Sequence, residues 1–252
     1  MFTPKLMAFD LDGTLAESKQ RLSADMGELL SHLTRKMPIA ILSGASFKQF
    51  EVEFFPSLSD DAKLSNLYIF PTNAAQCFIY ASNSWQLKYD HSFTATERQV
   101  ILQALTQCIE DSHFNTEAVS KIWGEQIEDR GAQIAFSAIG QKAPIEEKQK
   151  WKTLHDDKRK ALFTALTKKL PGLSVSMGGL TTIDITRHGI NKAYGIRQLA
   201  GFTGISVPEM LYVGDALEEG GNDSVVVETG IKTHQVFSPK ETSTLIEQVL
   251  AK

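Results

Sequence analysis

Short apolar segments alternate with amphipathic segments in the first and last parts of the chain. The apolar runs of strand length cover residues 6–9, 38–42, 67–70 and 210–213. Between the first two runs, residues 23–36 carry apolar side chains at helical spacing, with Ser23 as a candidate N-cap. Apolar strands that alternate with helices indicate a parallel sheet buried on both faces. The sequence therefore predicts an α/β fold with a doubly wound, Rossmann-like parallel-sheet core.

The pattern changes in the middle of the chain, where paired short strands and longer helices appear. The predicted elements are a hairpin at 78–80 and 85–87, helices beginning near Thr94 and Lys158, and strands at 133–137, 174–177 and 181–185. Thr94 and Glu97 have the spacing of a capping box. This order suits a separate α+β domain. We expect residues 81–187 to form a domain inserted into a core made of residues 1–80 and 188–252.

The composition is that of a soluble globular protein. The 252 residues are 42% hydrophobic and 22% charged, which suits one or two domains with a substantial core. The net charge of −4 argues against a nucleic-acid partner, because no excess of Lys and Arg neutralises phosphates. No apolar run suits a signal peptide or a membrane span. Cys77 and Cys108 lie in apolar settings without metal-ligand spacing, as expected of reduced thiols in a cytoplasmic protein.

Two carboxylates end the first predicted strand. Asp10 and Asp12 are two positions apart, so both side chains point to the same side of an extended backbone, and Gly13 then allows a sharp turn. Because neighbouring carboxylates repel, one tends to ionise while the other retains a proton. The pair suits a nucleophile beside a general acid, and it also suits a hard cation. An ordinary polar turn after a strand is the alternative.

Polar residues also follow the other predicted core strands. Ligands of an open parallel sheet bind beyond the carboxyl ends of its strands, so these residues are expected to share one site with the carboxylate pair. Ser43 and Gly44 offer a hydroxyl and backbone N–H groups to a phosphate oxygen. Asp215 would supply a carboxylate oxygen to Mg²⁺. Asn222 and Asp223 follow in the same loop and are expected to bond to metal waters or to a nearby lysine.

The segment Asp-Leu-Asp-Gly-Thr-Leu that begins at Asp10 resembles the first motif of the haloacid-dehalogenase superfamily of aspartate-based phosphotransferases. The resemblance implies a Rossmann-like core with an inserted α+β cap of type IIB. It also implies that Asp10 attacks phosphorus, and that Asp12 protonates the leaving oxygen and then activates the acceptor. Lys192 matches the lysine that, with Ser43, holds the phosphoryl group in this superfamily. Asp10, Asp215 and the backbone carbonyl of Asp12 would bind Mg²⁺.

The loop from Gly214 to Asp223 narrows the resemblance to the eukaryotic-type phosphomannomutases. Its Gly-Gly-Asn-Asp ending makes it longer than the same loop in many related phosphatases, and the likeness extends over nearly the whole chain. Those mutases bring several arginines to the substrate from the first loop and the cap. Lys19, Arg130, Gln141 and Lys148 stand at these positions, and Thr182 and Asp184 match positions that contact the phosphate and the sugar hydroxyls. Together with Gly44 of the core, these six are the candidate substrate-binding residues.

The cap departs from the mutase pattern in its cationic residues. Gln141 and Lys148 stand at arginine positions, whereas Arg130 is retained. An arginine fork binds phosphate bidentately, but lysine offers a mobile point charge and glutamine offers none. Because a mutase must hold two phosphates at once, the weaker set favours water as the acceptor.

We therefore predict a Mg²⁺-dependent phosphatase that acts on a small phosphorylated metabolite, with a sugar phosphate as the expected substrate. The alternative is a phosphomannomutase-type hexose phosphate mutase. A non-catalytic sugar-phosphate-binding module is less favoured, because the set of Asp10, Asp12, Lys192 and Asp215 is intact. We expect no nucleic-acid or membrane partner. By analogy with the mutases, a homodimer through the cap is expected.

Overall fold

The computed structural model describes residues 2–17 and 20–251, which form two compact units. The larger unit comprises Met1–Asp90 and Asn191–Lys252, and the smaller unit comprises His91–Ile190. The strands are β1 (Leu6–Phe9), β2 (Ile39–Leu42), β3 (Leu67–Phe70), β4 (Gln76–Ala81), β5 (Ser84–Asp90), β6 (Ile127–Asp129), β7 (Ile134–Ser137), β8 (Leu173–Gly178), β9 (Thr182–Arg187), β10 (Met210–Gly214) and β11 (Lys232–Gln235). The helices and helical turns are α1 (Ala24–Lys36), α2 (Phe47–Gln49), the single turn α3 (Pro71–Ala74), α4 (Ala95–Asp111), α5 (Phe114–Ala118), α6 (Ile145–Lys169), α7 (Lys192–Thr203) and α8 (Pro239–Leu250). Over the described ranges, no helix has the length and apolar character needed to cross a membrane.

The sheet of the larger unit is mostly parallel, with the strand order β11-β10-β1-β2-β3-β4-β5. β1 pairs in parallel with β10, where Leu6 lies opposite Met210, and with β2 on its other side. β3 continues the parallel ladder, and the β4–β5 hairpin adds two antiparallel strands at one edge. This arrangement confirms the predicted α/β fold class.

Helices cover both faces of this sheet. Phe9 of β1 belongs to an apolar core that includes Leu30 of α1 and Ile246 of α8. Ala8 contributes to a second core, together with Ile196 of α7. Successive side chains of a strand point to opposite faces, so β1 serves both cores. The sheet is therefore doubly wound, as predicted.

The helix starts predicted at Ser23 and Thr94 are confirmed by their capping contacts, whereas the helix expected to begin near Lys158 begins earlier, at Ile145. Thr94 accepts a hydrogen bond from the backbone N–H of Glu97 at 3.3 Å, and the Glu97 carboxylate accepts one from the N–H of Thr94 at 2.7 Å. Ser238 accepts from the N–H of Glu241 at 3.4 Å at the start of α8. Ser23 caps α1 in the same way. These contacts satisfy N–H groups that have no partner within their own helix.

The β4–β5 hairpin belongs to the larger unit. Tyr68 of β3 pairs with Ile79 of β4, so the hairpin extends the main sheet. The inserted unit therefore begins at His91, ten residues after the residue 81 expected from the sequence, and it ends at Ile190, where residue 187 was expected. A turn signal marks a hairpin, but it does not reveal which sheet the hairpin joins.

The helical segment that begins with α2 is irregular. After α2 the backbone widens into a π-helical turn at Phe50–Phe54 and then tightens into a 3₁₀ turn at Phe55–Ser57. Pro56 has no N–H to donate, so a regular helix cannot continue through it. Phe47 stacks on Phe78 of the hairpin with ring centroids 3.7 Å apart, and this packing holds the irregular segment against the sheet.

The smaller unit has an antiparallel sheet, with the strand order β6-β7-β9-β8. Phe136 of β7 and Ile183 of β9 share an apolar core with Leu105 of α4 and Leu166 of α6. Asp184 follows Ile183 in β9, so its side chain lies on the opposite face of the sheet. The face of the small sheet that packs against helices is therefore apolar, and the Asp184 carboxylate lies on the other face.

Candidate active site

The carboxyl ends of β1 and β10 bring Asp10 and Asp215 close together. The N–H of Asp10 donates to the carbonyl of Val213 at 3.0 Å, so the two strands stay paired up to the first carboxylate. Gly13 then turns with a φ of +86°, and a Cβ atom on it would lie 2.5 Å from Oδ2 of Asp215. The turn after β1 thus requires glycine and lies directly against Asp215.

Lys192 is buried between two carboxylates. Its Nζ donates to Oδ1 of Asp10 and, at 2.6 Å, to Oδ1 of Asp223. The lysine opens α7, where the side chain of Asn191 caps the helix by accepting from the N–H of Tyr194 at 3.0 Å. Because the Lys192 side chain is only 2% exposed, both ion pairs are desolvated, and removing the lysine would leave two buried carboxylates without their cation.

The Asp223 carboxylate receives several donors. The hydroxyl of Tyr212 donates to Oδ1 at 2.5 Å, beside Lys192, and the N–H of Ala216 donates to Oδ2 at 3.3 Å. Gly214 leaves room for this arrangement, since a Cβ atom there would lie 2.8 Å from Cε1 of Tyr212 and closer still to Asp223. Tyr212 was not among the residues predicted for the site, because an aromatic residue within an apolar strand is typical of a core.

The charges of this site influence one another strongly. Burial raises the pKa of Asp10; the Lys192 ammonium opposes this change, and Asp223 and Asp215 add to it. Burial lowers the pKa of Lys192, but the negative charges of Asp10 and Asp223 have the larger combined effect, so the pKa of the lysine is raised. Burial and the charge of Asp223 raise the pKa of Asp215 to about 6. Lys192 therefore stays protonated and favours the ionised form of Asp10.

Three carboxylates form a cluster that fits a divalent cation. One oxygen each of Asp10, Asp215 and Asp223 lies within 4.8 Å of the others. Oδ2 of Asp10 is buried and has no hydrogen-bond partner among the described residues. When all three carboxylates are ionised, their charge exceeds that of Lys192 by two, which Mg²⁺ would balance, and carboxylate oxygens are its usual protein ligands. Since Asp223 binds other donors, Asp10 and Asp215 are the side chains best placed to hold the ion.

A left-handed turn after β3 holds the loop of Ser43. The N–H of Asn73 donates to the carbonyl of Ser43 at 2.8 Å, and that of Thr72 donates to the carbonyl of Ala45 at 2.9 Å. Thr72, Asn73 and Ala74 have φ angles of 53°, 53° and 65°, a region that residues other than glycine rarely adopt. Oγ of Ser43 accepts from the N–H of Ala45 at 3.0 Å, so its own proton is left to donate to another acceptor.

The other predicted core residues lie at the same carboxyl edge of the sheet. Ser43 and Gly44 directly follow β2. Asp12 adds to the effect of burial on the pKa of Asp215, which places its charge near the cluster. The side chain of Asn222, in contrast, forms no hydrogen bond within residues 2–17 and 20–251. The structure therefore brings Asp223, and not Asn222, into contact with the lysine.

Most of the chain matches a known protein family. A family model described as eukaryotic phosphomannomutase matches residues 26–252. The chain belongs to this family. It is 25% identical over 266 residues to a probable phosphomannomutase of Caenorhabditis elegans, with 97% of this chain and 95% of that protein covered. It is 27% identical over 260 residues to a phosphomannomutase of Encephalitozoon cuniculi, with 98% of this chain and 94% of that protein covered.

The fold has counterparts among solved structures. A haloacid dehalogenase-like hydrolase from Bacteroides thetaiotaomicron superposes with a TM-score of 0.62 at 16% identity, covering 98% of this chain and 99% of that one. At such low identity the likeness concerns the fold alone. It confirms the haloacid-dehalogenase fold that the motif at Asp10 implied.

The candidate substrate-binding residues of this phosphomannomutase-family chain lie in the smaller unit, apart from Gly44 of the core and Lys19, which is outside the described residues. Arg130 lies in the turn between β6 and β7 and pairs with Glu128 at 2.7 Å. The amide nitrogen of Gln141 donates to two backbone carbonyls at 3.3 and 3.4 Å. Lys148 is buried in the first part of α6. The cations among these candidates are therefore Arg130, which is paired with an acidic neighbour, and the buried Lys148.

Thr182 and Asp184 lie on β9, next to a turn that Arg159 holds. Arg159 donates to the carbonyls of Gly178 at 3.1 Å and Gly179 at 2.9 Å. A Cβ atom on Gly178 would lie 2.5 Å from Oδ2 of Asp184, so this glycine turn is packed against the carboxylate. Arg159 was not predicted as part of this region, because an arginine in a helix is usually exposed. Here its side chain is only 3% exposed and binds the Gly178–Gly179 turn.

Proposed function

We propose that this chain is a phosphomannomutase-type enzyme that moves a phosphoryl group between two positions of a hexose phosphate. The buried contact of Asp10 with Lys192 carries the proposal, because it supplies a desolvated carboxylate nucleophile with a fixed cation. Membership of the family supports a sugar phosphate as the substrate class. The sequence favoured water as the acceptor, but the names of the relatives support the mutase alternative better, so we place it first.

Asp10 is the proposed nucleophile. Lys192 holds Oδ1 and fixes the orientation of the carboxylate, while Oδ2 is buried without a partner among the described residues. Attack on the phosphorus forms an Asp10 O–P bond and breaks the bond between phosphorus and the sugar oxygen. The fixed ammonium, shielded from water, stabilises the negative charge that develops on the phosphoryl oxygens.

Asp12 is the proposed general acid and base. It is half-buried and follows Asp10 by two positions. In its protonated form it would give its proton to the sugar oxygen that leaves. As a carboxylate it would then take the proton from the hexose hydroxyl that attacks the phospho-enzyme. This second transfer returns the phosphoryl group to the sugar and regenerates Asp10.

The phosphoryl group would be held by residues at the carboxyl edge of the sheet. The Ser43 hydroxyl has a proton to donate, and Gly44 supplies backbone in the same loop. Lys192 adds a positive charge. Asp10, Asp215 and the backbone carbonyl of Asp12 would hold Mg²⁺, whose charge neutralises the phosphoryl oxygens when it is bound.

Hydrolysis of a sugar phosphate is the second candidate, and the smaller unit favours it. Gln141 stands at an arginine position of the mutase pattern, and its amide nitrogen is directed at two backbone carbonyls. Arg130 forms an ion pair with Glu128, so its charge is partly neutralised. A mutase must keep the hexose bisphosphate bound while the sugar turns round in the site, whereas a phosphatase needs to hold only one phosphate. A weaker second phosphate site would therefore let water act as the acceptor.

Two expectations about the cellular form of the protein remain proposals. Cys77 and Cys108 are free and buried, which suits a reducing cytoplasm. A homodimer through the smaller unit is proposed by analogy with related mutases. Equilibrium sedimentation tests the homodimer, and a purely monomeric distribution would contradict it.

Isomerisation and hydrolysis can be measured in one reaction. Mannose 1-phosphate or glucose 1-phosphate would be incubated with the protein and Mg²⁺, with and without hexose 1,6-bisphosphate. Phosphorus NMR separates the 1-phosphate, the 6-phosphate and inorganic phosphate. We expect the 6-phosphate to form faster than inorganic phosphate when the bisphosphate is present. Inorganic phosphate as the main product would replace the mutase by the phosphatase, and the absence of both products would contradict both.

A further inference from the structure

The contacts around Lys192 extend one residue beyond the family's catalytic motifs. The hydroxyl of Tyr212 and the ammonium of Lys192 donate to the same oxygen of Asp223, at 2.5 and 2.6 Å. We propose that Tyr212 is a positioning residue for phosphoryl transfer, acting through Asp223 and Lys192 on the nucleophile Asp10. The proposal rests on the proposed function, because it assigns Asp10 the role given there.

The position of Tyr212 in the sheet explains how its hydroxyl reaches the site. Tyr212 lies on β10 opposite Ala8 of β1, and its ring packs in the core that also contains Ile196 of α7. The side chain is fully buried. The small side chain of Ala8 leaves space for the ring beside it, and the hydroxyl then meets Asp223 just beyond the strand end. A buried hydroxyl without an acceptor is unfavourable, so this contact also fixes the ring.

The hydroxyl restricts where Asp223 can hold the lysine. Oδ1 receives Tyr212 and Lys192, while Oδ2 receives the N–H of Ala216 at 3.3 Å. These donors define the plane of the carboxylate. Without the hydroxyl, the carboxylate can rotate toward the lysine and draw its ammonium away from Asp10. The pKa of Tyr212 is raised by its burial and then by the charge of Asp223, so the hydroxyl keeps its proton as the donor.

This role predicts an effect on turnover and not on substrate binding. Tyr212 has no exposed surface, so it cannot touch a substrate. Lys192 and Asp10, in contrast, act on the group that is transferred. Loss of the hydroxyl should therefore lower kcat and leave KM nearly unchanged. A tyrosine that only fills the core would be replaced by phenylalanine without any change in kcat.

The test compares Tyr212→Phe with Tyr68→Phe in the intact protein. Tyr68 lies on β3 of the same sheet, is partly buried and is outside the site, so it controls for removal of a hydroxyl from a core strand. With hexose 1-phosphate or p-nitrophenyl phosphate as substrate, we expect kcat of Tyr212→Phe to fall about 10- to 100-fold. KM should stay within about twofold of the unmodified protein. An unchanged kcat, or an equal loss in both variants, overturns the proposal.

A second measurement separates this proposal from the proposed function. The ¹⁵Nζ resonance of Lys192, assigned by its absence in Lys192→Arg, reports the surroundings of the ammonium in protein without substrate. We expect Tyr212→Phe to shift this resonance and Tyr68→Phe to leave it in place. If the unmodified protein neither isomerises nor hydrolyses these esters, the proposed function fails, and the resonance still tests the contact. An unshifted resonance in Tyr212→Phe overturns the positioning role even in an active enzyme.

Discussion

Gly214 lies against Asp223 without space for a side chain between them. A Cβ atom on Gly214 would lie 2.4 Å from Oδ2 of Asp223 and 2.8 Å from Cε1 of Tyr212, so an added methyl group must displace both side chains or move the backbone. We expect Gly214→Ala to lower the free energy of unfolding by about 1–3 kcal/mol, as overpacking of a core does. Turnover should fall as well, because Asp223 holds Lys192. Denaturant unfolding and the isomerisation assay on one preparation measure both effects.

The matched control for that variant is Gly201→Ala. Gly201 is an exposed residue within α7, and nothing lies within 4 Å of a Cβ atom added to it. Alanine favours a helix over glycine by about 1 kcal/mol, so this variant should be more stable and fully active. Similar losses in both variants would contradict a specific contact of Gly214 with the site.

Asp10→Asn should abolish both phosphate release and isomerisation. An amide is not a competent nucleophile toward phosphorus, and the variant keeps the shape of the side chain. The fold should be retained, because the change removes one charge from a cluster in which Asp215 and Asp223 repel it. Asp25→Asn, an exposed residue in the first turn of α1, serves as the control. Multiple turnovers by folded Asp10→Asn, free of deamidated protein, would end the aspartyl-phosphate scheme.

Lys192→Met should be strongly destabilising. It leaves Asp10 and Asp223 as buried carboxylates without their cation, and breaking a buried ion pair from one side costs about 3–5 kcal/mol. The ammonium opposes the rise that burial causes in the pKa of Asp10, so its loss should move this pKa further above the unfolded value of about 3.9. Part of the lost stability should therefore return as the pH is lowered, because protonation removes the repulsion.

Denaturant unfolding of that variant at two pH values checks both the size and the sign of the effect. Lys240→Met, an exposed residue in the first turn of α8, is the control and should change little at either pH. A Lys192→Met protein that loses further stability on acidification would contradict the assignment of buried, uncompensated carboxylates.

Magnesium binding should weaken below a pH of about 6. Burial raises the pKa of Asp215 to about 6 in the metal-free protein. Because this folded-state pKa exceeds the unfolded value, the contribution of Asp215 to stability is present at low pH and is lost as the pH rises through about 6. Cation binding has the opposite dependence, since a ligand must be ionised.

Calorimetric titration with Mg²⁺ at several pH values tests this dependence. We expect the affinity to fall about tenfold for each pH unit below 6, because one proton competes with the ion. Asp215→Asn should bind the ion weakly and with a smaller dependence on pH. A constant affinity from pH 7 down to pH 5 would remove Asp215 from the set of ligands.

Two arginines introduced into the smaller unit should favour isomerisation. Gln141→Arg combined with Lys148→Arg restores the cations of the mutase pattern and should tighten the binding of hexose 1,6-bisphosphate by about 1–3 kcal/mol if both form charge-assisted pairs. The ratio of 6-phosphate to inorganic phosphate should rise, because a retained bisphosphate can turn and react again. Lys142→Arg, an exposed neighbour, is the control. An unchanged ratio would show that these positions do not decide the acceptor.

The core of the candidate site was predictable because its signals are local. Asp10 and Asp215 each follow an apolar run directly, and the rule that ligands lie at the carboxyl ends of parallel strands is enough to place them together. Ser23 and Thr94 indicated where their helices begin, because their side chains bond to the nearest N–H groups. Such features need no knowledge of distant neighbours.

The features that escaped prediction depend on distant contacts. Tyr212 has the appearance of a core residue, and only its contact with Asp223 makes it part of the site. The positive φ angles of Thr72 and Ala74 could not be anticipated, because turn prediction looks for glycine at such positions. The first half of α6 was not predicted, because its residues are mostly charged and show no apolar period. The burial of Arg159, further along the same helix, was not predicted either.

The pairing of β1 with β10 affects how the protein is made. Leu6 lies opposite Met210, so the strand that carries Asp10 acquires this neighbour only after the inserted unit has been synthesised. Domains fold as units while the chain leaves the ribosome, so the smaller unit can fold while β1 still lacks that partner. Lys192, which pairs with Asp10, precedes β10 in the chain, whereas Asp223, which holds the lysine, follows it. A nascent chain stalled before residue 210 therefore contains Asp10 and Lys192 but lacks β10, Asp215 and Asp223, and the reactive centre is complete only after residue 223 has been added.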